Sequence, residues 1–524
     1  MWRVKPLDQI LATAEKKSLK RSLGPIQLTM LGIGAVIGTG IFVLTATAAQ
    51  KAGPGMMISF IVAGLVCAVA ALCYSELASM VPVAGSAYTY SYAVMGELMA
   101  WLVGWALILE YALGASAVAV GWSGHIVGFL DNIGVHIPHA LTVGPKIAFG
   151  GFLQGGEIGG VINLPAVLIT VATTLLLILG TSESATVNAV LVAIKVSALT
   201  LFVILTLPLV AGHLNNFHPF TPRGWGNPLD SSGTGVLGAA ASIFFAYVGF
   251  DAVSTAAEET KNPQRNVPIG LIGSLLICTV FYLLVATGVI GSFGAQPLLD
   301  PATGKFFADG SPELYASAAC TGAHAPLVCS KEALAHVLRE VGFPWAGYVL
   351  GLAATIALPS VVLLMMYGQT RIFFVMARDG LLPKGLSAVH PRFKTPWVIT
   401  IVTGVVVAIA AAFFPVGQLA DYSNAGTLFA FAAVSVGVMV LRFTDKTRVR
   451  PFRTPLLFVV APLSIIGCLV LFFSLGPQSK GLFAVWTLLG LVLYFAYGFW
   501  NSNVRHGVVD DVELDDSASG QPPG

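Results

Sequence analysis

A lysine lies deep inside an apolar segment that is long enough to cross a bilayer. The segment, residues 188–210, reads NAVLVAIKVSALTLFVILTLPLV, and Lys195 is its eighth residue. A lysine at the centre of a membrane helix costs about 2.5–3.5 kcal/mol on insertion scales, so it needs a partner or a task. Eight residues at 1.5 Å each place it roughly 12 Å into the helix, which argues against snorkelling to the interface.

Acidic residues also fall within apolar segments. Glu110 lies in LILEYAL, where it either faces a cavity and reaches a ligand or hydrogen-bonds a neighbouring helix. Asp251 lies in FFAYVGFDAV, where it is either a ligand or the N-cap of a half-helix that follows. Glu76, near the end of another apolar segment, is expected to cap or anchor the adjacent PVAGSAYTY stretch.

The composition indicates that membrane helices position these residues. The chain has 524 residues, of which 56% are hydrophobic and 10% charged, whereas soluble domains carry roughly 25% charged residues. Apolar segments of bilayer length recur, and we count twelve. They lie at about 28–50, 57–81, 98–126, 161–180, 188–211, 236–257, 268–292, 345–370, 396–414, 419–441, 455–475 and 482–500.

Basic residues predict the orientation of these helices. With a cytoplasmic N-terminus, nineteen of the 27 Lys and Arg residues face the cytoplasm, seven face the other side, and Lys195 completes the set. The positive-inside rule therefore places both termini in the cytoplasm. The basic leader has no cleavage motif, and the acidic end, VVDDVELDDSASGQPPG, predicts a disordered tail. A net charge of +2 gives no reason to expect a nucleic-acid partner.

Two of the six cysteines are candidates for a disulfide. Cys320 and Cys329 fall in the long loop at residues 293–344, on the predicted outer side, where oxidising conditions favour pairing. We therefore predict a Cys320–Cys329 bridge. The other four cysteines lie in apolar segments, where they fill space.

Two of the predicted helices carry signals for a break. The first, LTMLGIGAVIGTGIFVL, contains four glycines within residues 32–40, which is either a small-residue packing face or an unwound stretch. The sixth contains Gly249 and Asp251. Paired breaks at helices one and six predict a five-plus-five inverted repeat with a substrate site near the membrane midplane. Free N–H groups there suit a carboxylate and free carbonyls suit an ammonium, so the expected ligand is an amino acid.

Several long segments resemble the cationic amino acid transporter family of the amino acid-polyamine-organocation superfamily, in its bacterial-type twelve-helix form. The resemblance is spread over most of residues 5–445. It is carried by the leader and first helix, KPLDQILATAEKKSLKRSLGPIQLTMLGIGAVIGTGIFV, and by YSELASMVPVAGSAYTYSY, GWALILEYALG, FFAYVGFDAVSTAAEETKNPQRNVPIGL, GQTRIFFVMARDGLLP and NAGTLFAFAAVSVGVMVLR.

The resemblance implies a fold and a set of roles. The fold is an all-α integral membrane protein of the leucine-transporter type, with twelve helices and helices 1 and 6 discontinuous. The N–H groups of Thr39 and Gly40 are expected to bind the substrate carboxylate, with Gly38 allowing close approach. Phe245 is expected to close over the substrate as a gate, and lysines at the position of Lys195 mark proton-coupled members. The expected acceptors for the substrate ammonium are the carbonyls of Val36, Ile37, Phe245 and Val248.

The predicted organisation follows from the repeat and the tail. The segments are a leader (1–25), the first repeat (26–211), the second repeat (236–441) with its loop (293–344), two appended helices (455–500) and a disordered cytoplasmic tail (501–524).

The predicted function is proton-coupled symport of small neutral or cationic L-amino acids across the plasma membrane, which is the inner membrane in a Gram-negative cell. An amino acid exchanger and a non-transporting amino acid sensor are the alternatives. No enzymatic activity, cofactor or metal is expected, because the sequence carries no nucleophile-elbow or phosphate-loop motif and no histidine pair placed for haem. The expected partners are the amino acid, protons and the lipid bilayer, and the sequence names no accessory subunit.

Overall fold

The fold is described from a computed structural model. It describes residue 4 and residues 23–81, 86–149, 153–180, 185–230, 232–255, 260–322 and 324–506. Residues 1–3 and 5–22 of the leader, residues 82–85 at the start of PVAGSAYTY and residues 507–524 of the tail lie outside these described residues.

Helices account for almost all of the regular structure. In the first half of the chain the helices are α1 Pro25–Val36, α2 Thr39–Phe42, α3 Leu44–Ala52, α4 Met56–Met80, α5 Ser86–Val94, α6 Glu97–Asn132, α7 Leu164–Leu179, α8 Ala185–Thr206, α9 Gly235–Ile243 and α10 Ala252–Thr255. Short 3₁₀ turns lie at Gly53–Gly55, His139–Leu141, Leu207–Gly212, Leu214–Phe217 and Phe244–Tyr247.

The second half continues the same pattern. Its helices are α11 Pro263–Ser292, α12 Pro312–Tyr315, α13 Ala318–Thr321, α14 Ala333–Glu340, α15 Pro344–Arg378, α16 Trp397–Phe413, α17 Val416–Thr444, α18 Leu457–Ser474, α19 Pro477–Leu493, α20 Phe499–Asn501 and α21 Asn503–His506. Two 3₁₀ turns lie at Leu327–Cys329 and Lys384–Ser387, and a π-helical turn at Tyr494–Gly498 joins α19 to α20.

Length and hydropathy identify the helices that can cross a membrane. Eight helices among the described residues are long and apolar enough, and four shorter apolar ones lie at Pro25–Val36, Leu164–Leu179, Gly235–Tyr247 and Trp397–Phe413. α6 lies at the centre, since 94% of its most apolar window is buried, whereas the last helical segment, Pro477–His506, is peripheral with 17% buried.

The loop between α6 and α7 departs from the all-α expectation. Strands β1 Thr142–Val143 and β4 Ile162–Asn163 pair antiparallel, and so do β2 Ile147–Phe149 and β3 Leu153–Gly155. A loop outside the helical bundle must satisfy its own backbone groups, and two short hairpin pairings do so here. The Asn163 carboxamide then accepts a hydrogen bond from the Ala166 amide and caps α7.

Contacts between loops define two faces of the bundle. On the terminal face, Leu23 forms a bridge with Thr260, and Ser502 contacts Glu97, so each described end of the chain is held against an internal segment. On the loop face, Lys146 pairs with Glu313, so the loop that carries the small sheets meets the 293–343 loop.

The described end of the chain corrects part of the predicted tail. Residues 501–506 were expected to be disordered, but α20 and α21 are helical and Ser502 is fully buried. The cause is a set of hydrogen bonds to residues that are distant in the sequence, for which the sequence gives no local signal. Ser502 donates to the Glu97 carboxylate, and Asn503 donates through its backbone to Asp379 at 3.1 Å and through its side chain to Arg378 at 2.8 Å. The rest of the predicted tail, 507–524, lies outside the described residues.

Candidate functional site

The first helix is broken in the middle of its glycine-rich stretch. α1 ends at Val36, Ile37 and Gly38 are extended, and α2 begins at Thr39. A helix that ends leaves its last four carbonyls without helical partners, and one that begins leaves its first N–H groups free. The break therefore exposes acceptors on one side and donors on the other, deep within buried structure.

Lys195 lies at this break. Its side chain is almost fully buried, and Nζ donates a hydrogen bond to the Gly34 carbonyl oxygen at 2.8 Å. Gly34 is in the last turn of α1, so the ammonium satisfies one of the carbonyls that the break leaves open. α8 thereby holds the end of α1 through a single titratable group.

The sixth predicted helix is also broken. α9 ends at Ile243, a 3₁₀ turn follows, Val248 is extended, and α10 begins at Ala252. Gly249 has φ +107°, a conformation that side chains rarely adopt, and a Cβ there would lie 3.0 Å from the Ala35 carbonyl oxygen. The glycine thus allows the second break to lie directly against the end of α1.

The two broken helices also touch at Gly40. A Cβ on Gly40 would lie 2.3 Å from Cα of Ala246, closer than any side chain could be accommodated without moving backbone. A Cβ on Gly38 would lie 3.6 Å from its nearest neighbour, an atom of the Val361 side chain. In this structure the close backbone approach is therefore at Gly40, and Gly38 has more room.

A tyrosine that the sequence analysis missed connects the two breaks. The Tyr282 hydroxyl, on α11, lies 3.0 Å from the Val36 carbonyl oxygen and 2.7 Å from that of Ala246, and its one proton can be donated to either. Tyr282 is fully buried. Within VFYLLVATG it looks like an ordinary core residue, and only the packing of α11 across both breaks gives it this position.

Phe245 lies where several elements pack closely around Gly114. Phe245 is 4% exposed. A Cβ on Gly114 of α6 would meet Sδ of Met365 at 2.9 Å, Oγ of Ser423 at 3.3 Å and Cε2 of Phe245 at 3.7 Å. These four residues from four elements converge on one point next to the breaks. Thr39 is buried, and its hydroxyl has no hydrogen-bond partner among the described residues.

The two buried acids lie on neighbouring elements and interact. Asp251 accepts a hydrogen bond from the Tyr111 hydroxyl at 3.1 Å. Glu110, the preceding residue on α6, is fully buried and interacts electrostatically with Asp251. Neither carboxylate oxygen of Glu110 has a hydrogen-bond partner in the described part of the chain. Glu110 is therefore available to a ligand or a proton, whereas Asp251 is already engaged with Tyr111.

A charged cluster lies between the site and the loop face. Nζ of Lys51, at the end of α3, is 2.8 Å from Oδ2 of Asp421 on α17 and also donates to the Ser242 hydroxyl. All three residues are more than nine-tenths buried. This contact joins the outer parts of the first and sixth predicted helices to α17, and it was not anticipated from the sequence.

The 293–311 loop closes over this cluster. Gln50 donates to the Phe307 carbonyl at 2.9 Å and accepts from the Leu298 amide at 2.9 Å. Asp309 reaches the cluster from the same loop. Burial raises the pKa of Asp309 to about 6, although the charges of Lys51 and Arg223 act in the opposite direction. Burial also lowers the pKa of Arg223.

Glu76 holds a different segment from the one expected. Its carboxylate accepts two hydrogen bonds from Arg442, at 2.9 and 2.7 Å, and one from the Thr454 amide at 2.8 Å. Nε of Arg450 is 3.3 Å away. Glu76 thus anchors the segment between α17 and α18 on the terminal face. Four of the nine residues of the expected partner, PVAGSAYTY, lie outside the described residues, at 82–85.

The predicted disulfide is confirmed. Cys320 and Cys329 are bonded, with Cα atoms 5.3 Å apart, and the other four cysteines are free and buried. Among the described residues there is no group of three or more His, Cys, Asp or Glu that could hold a metal ion.

Known proteins resemble this chain over almost its whole length. The amino acid permease family model matches residues 23–495. Branched-chain amino acid permease BcaP of Bacillus subtilis (strain 168) is 45% identical over 498 residues, 95% of this chain and 97% of the relative. The methylthioribose transporter of the same organism is 41% identical over the same shares. Cationic amino acid transporter 4, vacuolar, of Arabidopsis thaliana is 36% identical over 435 residues, 81% of this chain and 64% of the relative.

These relatives are transporters rather than enzymes, in agreement with the absence of catalytic motifs in the sequence. They also agree with the family resemblance carried by the glycine-rich first helix and the Asp251 segment. A family match over most of the chain, together with apolar membrane helices, shows that this protein belongs to the amino acid permease family of the amino acid-polyamine-organocation superfamily.

Proposed function

We propose that this protein is a secondary active transporter that couples the entry of L-amino acids to the entry of protons by alternating access. The observation that carries the proposal is the hydrogen bond from Lys195 to the Gly34 carbonyl, 2.8 Å long, at the end of a broken helix. A protonated Lys195 is a charged donor to α1. A neutral one makes a weaker bond and can release it, so that proton binding biases the position of α1.

The substrate backbone occupies the space between the two breaks. Its carboxylate binds the N–H groups of Thr39 and Gly40 at the start of α2, where free donors and the helix dipole favour negative charge. Its ammonium binds carbonyls on the other side of each break, those of Val36, Ile37, Phe245 and Val248. Val36 accepts Tyr282 on one lone pair and keeps a second for substrate. Gly38 has no side chain that would block the substrate.

The substrate side chain extends toward Gly114. Phe245 acts as a gate above it, and Met365 and Ser423 bound the space. These groups suit a small or branched neutral side chain, and one relative, 45% identical to this chain, carries the name branched-chain amino acid permease. Glu110 offers a carboxylate to a cationic side chain, with Asp251 as a second acidic group beside it, so arginine and lysine are secondary candidate substrates.

The membrane arrangement follows the family plan. We propose twelve membrane-spanning helices with helices 1 to 5 and 6 to 10 forming inverted repeats in a leucine-transporter-type fold. The terminal face lies in the cytoplasm and the loop face outside the plasma membrane, because basic residues concentrate on the terminal side and the disulfide on the other.

Uptake by reconstituted protein tests this proposal. Sodium-free liposomes with an alkaline interior are supplied with labelled leucine or alanine, with and without excess unlabelled arginine. We expect accumulation that collapses when a protonophore removes the gradient. Competition by arginine places cationic substrates in the same site. Uptake that ignores the proton gradient but requires a preloaded amino acid inside identifies an exchanger and overturns proton symport.

A further inference from the structure

A groove opens on the outside of the bundle at the terminal-face end of α11. It is a cavity of about 650 Å³ between the first three turns of α11 and the segment that joins α17 to α18. Arg265 and Gln264 lie at its polar end, and Pro268, Ile269, Ile272 and Phe452 give it apolar walls. The groove is remote from the breaks and is not part of the substrate site described above.

The apolar side of the groove continues along the membrane-facing surface of α11. Ile269 is 42% exposed, and Leu276, Val280 and Leu284 follow at helical spacing with exposures of 66%, 51% and 36%. Residues three or four apart lie on one face of a helix, so these side chains form one stripe that leads away from the terminal face. A ligand that follows this stripe is long and apolar.

The other end of the groove is cationic. Arg265 is exposed at the start of α11, and no ion pair joins it to any residue that the structure describes. A guanidinium matches the geometry of a phosphate group and forms two parallel hydrogen bonds with it. A cation at the end of an apolar groove that faces the bilayer fits a lipid with an anionic headgroup.

The helix turns that line the groove also pack against α1. A Cβ on Gly270 would lie 2.9 Å from Cβ of Leu28, and one on Gly273, which also lines the groove, would lie 3.4 Å from the Thr29 side chain. The far wall is held by the Phe452 amide, which donates to Ser79 at 3.3 Å. A molecule in the groove therefore contacts the helix turns that support α1.

We propose that this groove binds an anionic phospholipid of the leaflet at the terminal face, with the phosphate on Arg265 and one acyl chain along Ile269 and Leu276. Bound lipid stabilises the packing of α11 against α1. Any effect of the lipid on transport rests on the proposed function, but the binding itself does not.

Native mass spectrometry tests the binding directly. Purified full-length protein in detergent is titrated with dioleoyl phosphatidylglycerol or dioleoyl phosphatidylcholine. We compare wild type, Arg265→Gln and Lys384→Gln. The last is a matched control, because Lys384 is an exposed cation on the terminal face that does not line the groove. We expect about a tenfold loss of phosphatidylglycerol affinity for Arg265→Gln, as for loss of one charged hydrogen-bond donor, and little change for Lys384→Gln.

A second variant separates the headgroup from the chain. Ile272→Trp fills the groove without changing charge, and we expect it to lower phosphatidylglycerol affinity as well. Equal binding of the two lipids, or an Arg265→Gln variant with wild-type phosphatidylglycerol affinity, overturns the proposal. So does equal binding of soluble glycerol 3-phosphate, which would identify an anion site in place of a lipid groove. Because no transport is measured, failure here leaves the proposed function untouched.

Discussion

Removing the carboxylate of Asp421 should open the route from the loop face to the site. Lys51 and Asp421 are 2.8 Å apart and almost fully buried, and they join α3 to α17 across the entrance. We expect Asp421→Asn to shift the equilibrium toward an outward-open form, because the closed form loses an ionic contact and retains a buried ammonium.

The magnitude follows from the partners that remain. Truncating one member of a buried ion pair costs about 3–5 kcal/mol when the other charge is left alone. Lys51 still has the Ser242 hydroxyl and the nearby charge of Asp309. We therefore take the lower value for one charged hydrogen bond, about 1.5–3 kcal/mol, which corresponds to roughly a 10- to 150-fold shift in the open-to-closed ratio.

Cysteine accessibility measures this shift. Ser423→Cys, next to Gly114, is introduced after the four free cysteines have been replaced by alanine. Intact cells are treated with a membrane-impermeant methanethiosulfonate. We expect the Asp421→Asn background to be labelled at least tenfold faster, in line with the shift estimated for one charged hydrogen bond. A cysteine in place of the exposed Lys305 is the control and should react equally in both backgrounds.

The double variant completes the test. If the pair acts as one contact, Lys51→Met added to Asp421→Asn should increase labelling by much less than the product of the two single effects. If the labelling rate of Ser423→Cys stays within about twofold of the parent in both single variants, the reasoning is refuted. Loss of a contact worth about 1.5–3 kcal/mol must change the open-to-closed ratio by more than that.

Three further outcomes follow from named contacts. Because burial raises the pKa of Asp309 to about 6, its ionisation destabilises the fold as pH rises from about 4 to above 6, so the Tm difference of Asp309→Asn minus wild type should increase over that range; a flat difference contradicts this. Gly40→Ala places a Cβ 2.3 Å from the backbone of the sixth predicted helix, so it should lower the free energy of unfolding by about 1–3 kcal/mol or more, seen as a lower Tm in detergent, and abolish uptake; wild-type uptake would disprove the close approach. Alkylation of denatured, unreduced protein should find four thiols and reduction should raise the count to six, because Cys320 and Cys329 are bonded; six without reduction would exclude the bridge.

Local sequence signals were sufficient to predict the two helix breaks and to predict that Lys195 is buried and needs a partner. Glycines clustered within an apolar run weaken a helix wherever the run packs, and a lysine inside such a run needs an acceptor in any fold. The Cys320–Cys329 bridge was similarly local, with a sequence separation of 9.

Contacts between distant segments could not be read from the sequence. Glu76 contacts Arg442, which is 366 residues away, whereas the sequence pointed only to the adjacent segment. Tyr282 and Asp421 sit in apolar runs whose faces are assigned only by neighbouring helices. The small sheets at 142–163 have strands of two or three residues, too short for a periodic pattern to appear.

The proton-coupling role of Lys195 is tested most directly by separating gradient-driven uptake from exchange in the same vesicles. Lys195→Ala and Lys195→Gln remove the donor to Gly34, and Lys305→Ala is a control lysine on an exposed loop. We expect both Lys195 variants to lose accumulation driven by a proton gradient while they still exchange labelled for unlabelled leucine, and the control to retain both. Lys195→Ala that accumulates leucine against a gradient as wild type does would contradict proton coupling through this lysine.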